Sequence, residues 1–214
     1  TNANVCFGRN GFLDFSGTPG ATVTYSTGSG PDQVVTLNGS GNFILTTPFL
    51  TSNTTYTLVS VSSAGVPSCT TPATGSVTFT SVALPTVTVS SSPVCSGANA
   101  TVTATPDTPG NYSYSWTFPA GATDPGNVAS FSTSVPGAYS VIMTNLTTTC
   151  PSTSVSVNVV INPLPTVSVS IVNPIICPGQ SAAITAVPGT AGTYNYAWTV
   201  PAGVTPPGNV STFN

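Results

Sequence analysis

The chain contains a repeat of its own sequence, and this repeat constrains the fold more than any other feature. The segment Leu-Pro-Thr-Val at 84–87 recurs at 164–167, 80 residues later, and after a two-residue insertion the offset becomes 82. The later matches are Cys95 with Cys177, Tyr112 with Tyr194, Tyr114 with Tyr196, Trp116 with Trp198 and Phe131 with Phe213. One folding unit of roughly 80 residues is therefore present twice.

The repeat divides the chain into three modules. The middle module, 84–163, is predicted to be complete, whereas the C-terminal module, 164–214, matches only its first half. Because half a sandwich exposes strand edges and an apolar face, we expect completion, by continuation of the chain or by a neighbouring chain. The N-terminal module, 1–83, is a related unit that lacks the opening strand supplied by 86–91, so its first strand is predicted to be missing.

Strand-forming residues dominate the pattern in each module. Val, Thr, Tyr, Ile and Phe recur in short alternating runs, such as 54–61, 112–118 and 154–161, and Pro-Gly turns separate the runs. No stretch has the length and 3.6-residue period of an amphipathic helix. The predicted fold class is all-β, with tandem antiparallel β-sandwiches in a linear array.

The scarcity of charge excludes several functions. Charged residues make up 2% of the chain, with one Lys or Arg, four acidic residues and no His. Nucleic-acid binding needs clustered cations, and membrane insertion needs an apolar run of about 18 residues, so neither is expected. Without His, Glu or Lys we predict no enzyme, cofactor or metal site. Asp107 and Asp124 become Gly189 and Pro206 in the repeat, as expected of solvated turn residues.

The five cysteines favour disulfides over metal, because no His or Cys-x-x-Cys pair is present. Two pairs of cysteines each bracket one module, which predicts Cys6–Cys69 and Cys95–Cys150 and leaves Cys177 with a partner beyond the chain end. Cys95 precedes the second strand and Cys150 follows the sixth, so we expect both in loops at one end of the sandwich. Disulfides imply an extracellular setting.

The repeated aromatic residues are predicted to form the sandwich cores. Period two places the aromatic residues of 112–118 on one side of a strand. A sugar-stacking platform is the alternative, but Phe118 becomes Val200 in the repeat, which suits packing and not stacking. The predicted core aromatic residues are Tyr112, Tyr114, Trp116, Phe131, Tyr139, Tyr194, Tyr196, Trp198 and Phe213.

The segments Tyr-Ser-Trp-Thr-Phe-Pro-Ala-Gly at 114–121 and Pro-Gly-Ala-Tyr-Ser-Val at 136–141 resemble the PKD-like family. Thr117, Pro119 and Gly121 depart from the acidic-glycine loop of that family. The stretches 17–25 and 50–58 resemble an Ig-like repeat. With Asn-Pro-Leu-Pro linkers as at 162–165, the modules are similar to repeats of giant Bacteroidota surface proteins exported by type IX secretion, including SprB-type gliding-motility adhesins.

This resemblance implies a structural role at the cell surface, attached to the outer membrane. We expect a stalk or filament segment of a secreted adhesin, whose partners are neighbouring repeats of the same polypeptide. Surface polysaccharide and the secretion or outer-membrane machinery are further candidate partners. One alternative is a spacer or carbohydrate-binding module of a secreted polysaccharide hydrolase. Another is a filament subunit completed by a neighbouring chain.

Overall fold

The computed structural model describes residues 3–214, so the first two residues of the predicted N-terminal module lie outside the described part. The described chain is all-β, which confirms the predicted fold class. The strands of the N-terminal module are β1 (Ala3–Cys6), β2 (Phe12–Ser16), β3 (Thr22–Ser26), β4 (Gln33–Thr36), β5 (Asn42–Thr46), β6 (Thr54–Ser62), β7 (Thr70–Pro72) and β8 (Ser76–Val82).

These strands form an Ig-like sandwich of two sheets. One sheet has the order β1-β8-β6-β3-β4, with β7 paired to β6, and the other consists of β2 and β5. β1 runs parallel to β8, and the other strand pairs are antiparallel. Alternate residues of the strands face inward, so Phe15, Val23, Tyr25, Tyr56 and Phe79 are buried between the sheets.

The middle module is built from β9 (Val87–Ser91), β11 (Ala100–Pro106), β12 (Tyr112–Thr117), β13 (Ser130–Thr133), β14 (Gly137–Asn145) and β15 (Val155–Val159). Its sheets have the orders β13-β11-β9 and β12-β14-β15. In β14 the inward residues Tyr139, Val141 and Met143 are buried, while Ile142 faces out, as the period of two requires. In the letters used for Ig-like domains, β9, β11 and β13 are strands A, B and E, and β12, β14 and β15 are strands C, F and G, which is the Ig-like arrangement.

Four further strands are β10 (Val94–Cys95), β16 (Ile161–Asn162), β17 (Val167–Ile171) and β18 (Ile184–Pro188), and β19 (Thr212–Phe213) is the last. β10 pairs in parallel with β16, and β17, β18 and β19 form one antiparallel sheet. The segment 194–199, the counterpart of β12, forms no strand. Its middle-module partner, β14, has no counterpart among the 214 residues.

By contacts the chain separates into two compact units. One contains residues up to Pro93 together with Asn99–Val160, and the other contains Val94–Ala98 together with Ile161–Asn214. In the described residues, no sheet combines strands of the N-terminal module with strands of the middle module. No helix in residues 3–214 has the length and apolarity that a membrane span requires.

Candidate functional site: a cystine between modules and two open apolar grooves

A disulfide joins the N-terminal module to the middle module. Cys6 and Cys150 are bonded at 2.05 Å between sulfur atoms, with their Cα atoms 5.5 Å apart. Cys6 ends β1 beside Val82, the last residue of β8, and the chain passes from there through 83–86 into β9. The bond therefore spans the junction between the two sandwiches, in parallel with the backbone linker.

The loop that carries Cys150 is held by a compact set of hydrogen bonds. The side-chain oxygen of Asn145 accepts from the amides of Thr147 and Thr148 at 2.9 and 3.1 Å. The backbone amide of Asn145 donates to the Cys150 carbonyl at 3.0 Å. Thr149 adopts a positive φ of 59°. Cys150 is 1% exposed, so its sulfur is fixed in position and shielded from water by its surroundings.

The predicted pairings Cys6–Cys69 and Cys95–Cys150 are wrong in this structure. In the N-terminal module, Cys6 lies at the end where β6 begins, whereas Cys69 follows the end of β6. The segment that carries Cys95 leaves β9 at Ser91 and enters β11 at Ala100. Strand register places both of those residues at the end of the sandwich opposite to Cys150.

The Cys95–Cys150 pairing fails because of the number of times the chain runs from one end of the sandwich to the other between these two cysteines. Between Cys95 and Cys150 it passes along β11, β12, β13 and β14, and it also runs back through 118–129 without strand pairing. An odd number of crossings ends opposite to where it began, so the two cysteines do not share a loop cluster. Cys69, Cys95 and Cys177 are free and exposed. The predicted partner of Cys177 beyond the chain end stays a prediction.

The aromatic residues of the middle module pack on one another between the sheets. Trp116 and Tyr139 are buried, and Phe131 lies between them, with ring centroids 4.9 and 5.6 Å away. Tyr112 and Tyr114 are half-buried. The pKa of Tyr114 is raised above its ordinary value, mainly because the hydroxyl is partly removed from water and to a smaller extent because Tyr112 is nearby. Trp116 donates its indole N–H to the Val128 carbonyl at 2.9 Å, leaving no free polar edge for a sugar.

The C-terminal module repeats this local geometry. Trp198 donates to Val210 at 2.8 Å and packs 4.8 Å from Phe213. In each copy a glycine with positive φ precedes an asparagine whose side-chain oxygen accepts a backbone amide. The Tyr114 amide donates to Asn127 at 2.7 Å, and the Tyr196 amide donates to Asn209 at 2.6 Å. The recurring Pro-Gly-Asn-Val motif therefore anchors the aromatic segment. Tyr194, Tyr196, Trp198 and Phe213 are only half-buried.

The first groove is open in the C-terminal module. A cavity of about 240 Å³ is lined by Val167, Val169, Ala186, Tyr196 and Trp198, among others. Val167 is 63% exposed, whereas its counterpart Val87 is 7% exposed. In the middle module the corresponding face is covered by the buried side of β14. The groove thus corresponds to the face that β14 and β15 cover in the middle module.

The second groove lies in the N-terminal module, with a volume of about 250 Å³ between β2 and the strands β6 and β8. In the middle module the strand β9 contacts both β11 and β15, at the corresponding place. The groove therefore lies at the place that β9 occupies in the middle module, and the absence of a first strand from the N-terminal module stays a prediction. Its aromatic lining, Phe15, Tyr25 and Tyr56, is buried between the sheets and offers no exposed stacking platform.

The four aspartates of the described residues do not form a catalytic or metal-binding cluster. Asp14, Asp32, Asp107 and Asp124 are exposed, and the side chain of Asp124 accepts the Gly126 amide at 2.8 Å as a turn residue. In the part of the chain that the structure describes, no group of three or more His, Cys, Asp or Glu could hold a metal ion.

No family model matches the chain, and no curated protein matches it either. The structure of an amphioxus IgVJ-C2 molecule is similar at TM-score 0.32 and 13% identity, covering 74% of this chain and 99% of that one. The mouse nectin-like molecule 4 ectodomain (Ig1–Ig3) gives TM-score 0.34 and 10% identity, over 99% and 86%.

The N-terminal four Ig domains of Dscam1 give TM-score 0.25 and 14% identity, over 76% of this chain and 43% of that chain. This chain therefore spans less than half of the Dscam1 structure. These likenesses add nothing to the Ig-like topology that each sandwich shows by itself.

The hydroxyl of Tyr139 gives a first prediction about the middle module. It donates to the Val135 carbonyl at 3.0 Å and lies 2.7 Å from the Thr133 hydroxyl, the tyrosine-corner arrangement of Ig-like domains. Tyr139→Phe leaves a shielded carbonyl without its donor, so we expect the free energy of unfolding to fall by about 1–3 kcal/mol. The measurement is the urea midpoint at an unchanged m-value.

Tyr112→Phe is the matched control for that variant. Its hydroxyl bonds Thr108 in the same way at 3.0 Å, but this bond is exposed to water. We therefore expect a change within about 0.5 kcal/mol. Equal losses in the two variants would show that burial of the Tyr139 hydroxyl has no special effect.

Proposed function

We propose that the chain is a tension-bearing stalk or filament segment of a large secreted cell-surface adhesin. The observation that carries this proposal is the Cys6–Cys150 bond across the junction of two sandwiches. A disulfide also fits an extracellular location. Two Ig-like sandwiches that are joined by both a short linker and a covalent bond suit a segment that must resist being pulled apart.

The Leu-Pro linkers support the same role. Pro85 and Pro165 fix their own φ and restrict the preceding leucine, so each linker has little conformational freedom. Their neighbours on either side are repeats of the same polypeptide, which are the partners we propose. The aromatic residues of the two sandwiches within 3–163 pack between the sheets, so those two sandwiches give the carbohydrate-binding alternative no support.

A finer assignment rests on the resemblance of the aromatic and Gly-Ala-Tyr segments alone. On that basis we propose a giant Bacteroidota surface protein that is exported by type IX secretion, attached at the outer membrane and active in gliding motility or surface attachment. Surface polysaccharide and the secretion or outer-membrane machinery are its candidate external partners. The role proposed for the chain is structural and not enzymatic.

Stretching single molecules by their two ends tests the tension-bearing role. The bond joins two residues that are 144 positions apart in the sequence. While it is intact, the chain between them cannot extend when the two ends are pulled. At about 3.5 Å per residue, Cys6→Ser should add about 500 Å of contour length on complete unfolding. Cys95→Ser is the matched control and should leave the length unchanged. If Cys6→Ser extends no further than the unaltered chain, the bond does not carry the load and the proposal fails.

A further inference from the structure

Three cysteines open the same backbone turn, and we call Cys6, Cys95 and Cys177 the leading cysteines. The carbonyl oxygen of each accepts a hydrogen bond from the amide three residues later, at 3.0 Å in all three cases. The repeat of the sequence relates only Cys95 to Cys177, so the equivalence of Cys6 comes from the structure.

Two leading cysteines also hold the same place beside the last strand of their module. Cys6 ends β1, which pairs in parallel with β8, and the amide that follows it donates to Val82 at 2.7 Å. Cys95 ends β10, which pairs in parallel with β16, and the amide that follows it donates to Asn162 at 2.7 Å. In both modules the leading cysteine therefore lies where the chain departs for the next module.

The other two cysteines, Cys69 and Cys150, are the trailing cysteines. The carbonyl of Cys69 accepts the Ser63 amide at 2.9 Å, directly after the end of β6. The carbonyl of Cys150 accepts the amide of Asn145, the last residue of β14, at 3.0 Å. β6 and β14 occupy the same place in their sandwiches, since β6 pairs with β8 and β14 pairs with β15, and β8 and β15 are the long strands that close the two modules. Both trailing cysteines therefore lie at the end of their sandwich opposite to the end from which the chain leaves for the next module.

The bond that is formed joins a leading cysteine to the trailing cysteine of the next module. Within one module the two types lie at opposite ends of the sandwich, so they do not meet. This arrangement leaves each free cysteine with a definite kind of partner. Cys69 and Cys95 are both free and exposed, so each thiol is accessible to a partner outside its own module.

We propose that Cys6–Cys150 is one member of a staggered series of inter-module disulfides. Cys95 bonds the trailing cysteine of the module that 164–214 begins, and Cys69 bonds the leading cysteine of a module that precedes it. Cys177 bonds the trailing cysteine of the module after its own. The inference rests on the proposed array of modules and names how neighbouring modules are linked.

The chemistry of each bond is an oxidation of two thiols. A sulfur–sulfur bond forms, two S–H bonds break, and two electrons and two protons leave. A disulfide oxidant accepts them by thiol–disulfide exchange. In the test this oxidant is oxidised glutathione, which is converted into two glutathione thiols.

The stagger has a consequence that pairing inside each module would not have. The loop closed by Cys6–Cys150 and the loop begun at Cys95 overlap, so backbone between Cys95 and Cys150 is spanned by two bonds. A single backbone break anywhere along the series leaves the filament covalently continuous. Pairing inside modules would leave every linker, such as 83–86, as a point where one cut separates the filament.

The test extends the full chain so that a new trailing cysteine is present. A copy of residues 133–163 is joined after Asn214, with the copied methionine replaced by leucine. After refolding with oxidised glutathione and alkylation of free thiols, the protein is denatured and cut at its single cation, Arg9, by trypsin and at its single methionine, Met143, by cyanogen bromide. Masses are measured without reduction.

We expect the 10–143 fragment, which contains Cys95, to remain bonded to the C-terminal fragment. Cys95→Ser or serine at the added cysteine should release it, whereas Cys69→Ser should not. A second variant, in which a copy of the complete 84–163 module replaces 164–214 and its copied methionine is likewise replaced by leucine, should give the same result. Release of 10–143 from both variants, with Cys95 alkylated, overturns the inference. The stretching experiment is independent of this outcome, because it depends on Cys6–Cys150 alone.

Discussion

Cys6→Ser will separate the chain into three fragments under conditions that leave two of them joined in the unaltered protein. Trypsin cuts after Arg9 and cyanogen bromide cuts after Met143, which are the only cleavage sites of these reagents in the sequence. With Cys6–Cys150 intact, the 1–9 peptide stays bonded to 144–214, and 10–143 is released. Non-reducing mass spectrometry after alkylation distinguishes these species directly.

Cys95→Ser is the control for this digest and should give the same fragments as the unaltered chain. The rival pairings, Cys6–Cys69 with Cys95–Cys150, would hold all three pieces together in the unaltered chain. Under those pairings, Cys95→Ser would free 144–214. Either observation would contradict the inter-module bond.

The same substitution should have a large effect on stability. In the chain-entropy model, closing a loop of 144 residues stabilises by about 5 kcal/mol relative to the open unfolded chain. Cys6→Ser should therefore lower the free energy of unfolding, summed over the two sandwiches, by about that amount. Cys95→Ser should change it by about 0.5 kcal/mol or less, because its exposed thiol is free. Urea denaturation followed by circular dichroism measures both.

The bond that matters most to this chain could not be predicted from cysteine spacing. Spacing indicated which cysteines bracket a module, but a bracket in sequence does not place two residues at one end of a sandwich. The deciding quantity is the number of crossings, and one of them, through 118–129, is made without a strand. That segment is rich in Pro and Gly and has no alternating pattern to indicate a crossing, and Asn127 anchors it by accepting the Tyr114 amide.

Strand positions were predictable because they follow from alternation of side chains. The predicted run 54–61 corresponds to β6, and 112–118 corresponds to β12. Burial of the same motif was harder to predict, since it depends on strands far away in the sequence. Val87 and Val167 occupy the same place in identical Leu-Pro-Thr-Val segments, yet only Val87 is buried. The signal for this difference was the absence of a β14 counterpart from 164–214.

The difference in burial between the two copies can be measured at Trp116 and Trp198, which occupy the same position of the repeated motif. Each donates its indole N–H to a valine carbonyl and packs edge-on against a phenylalanine. Trp116 is 8% exposed beneath β14, so Trp116→Ala leaves a cavity and should cost about 3–5 kcal/mol. Trp198 faces the open groove, so Trp198→Ala should cost about 1 kcal/mol, mainly for its hydrogen bond.

Circular dichroism during urea denaturation compares the two variants, since each loses one of the two tryptophans and fluorescence would follow different modules. Joining a copy of residues 133–163 after Asn214 supplies a counterpart of the β14–β15 hairpin, with tyrosine, valine and methionine on its inner face. Because the hairpin covers the groove, the cost of Trp198→Ala should then rise towards that of Trp116→Ala. If the two substitutions cost the same in the 214-residue chain, the groove is closed by some other packing, and burial by a partner hairpin is not what separates the two copies.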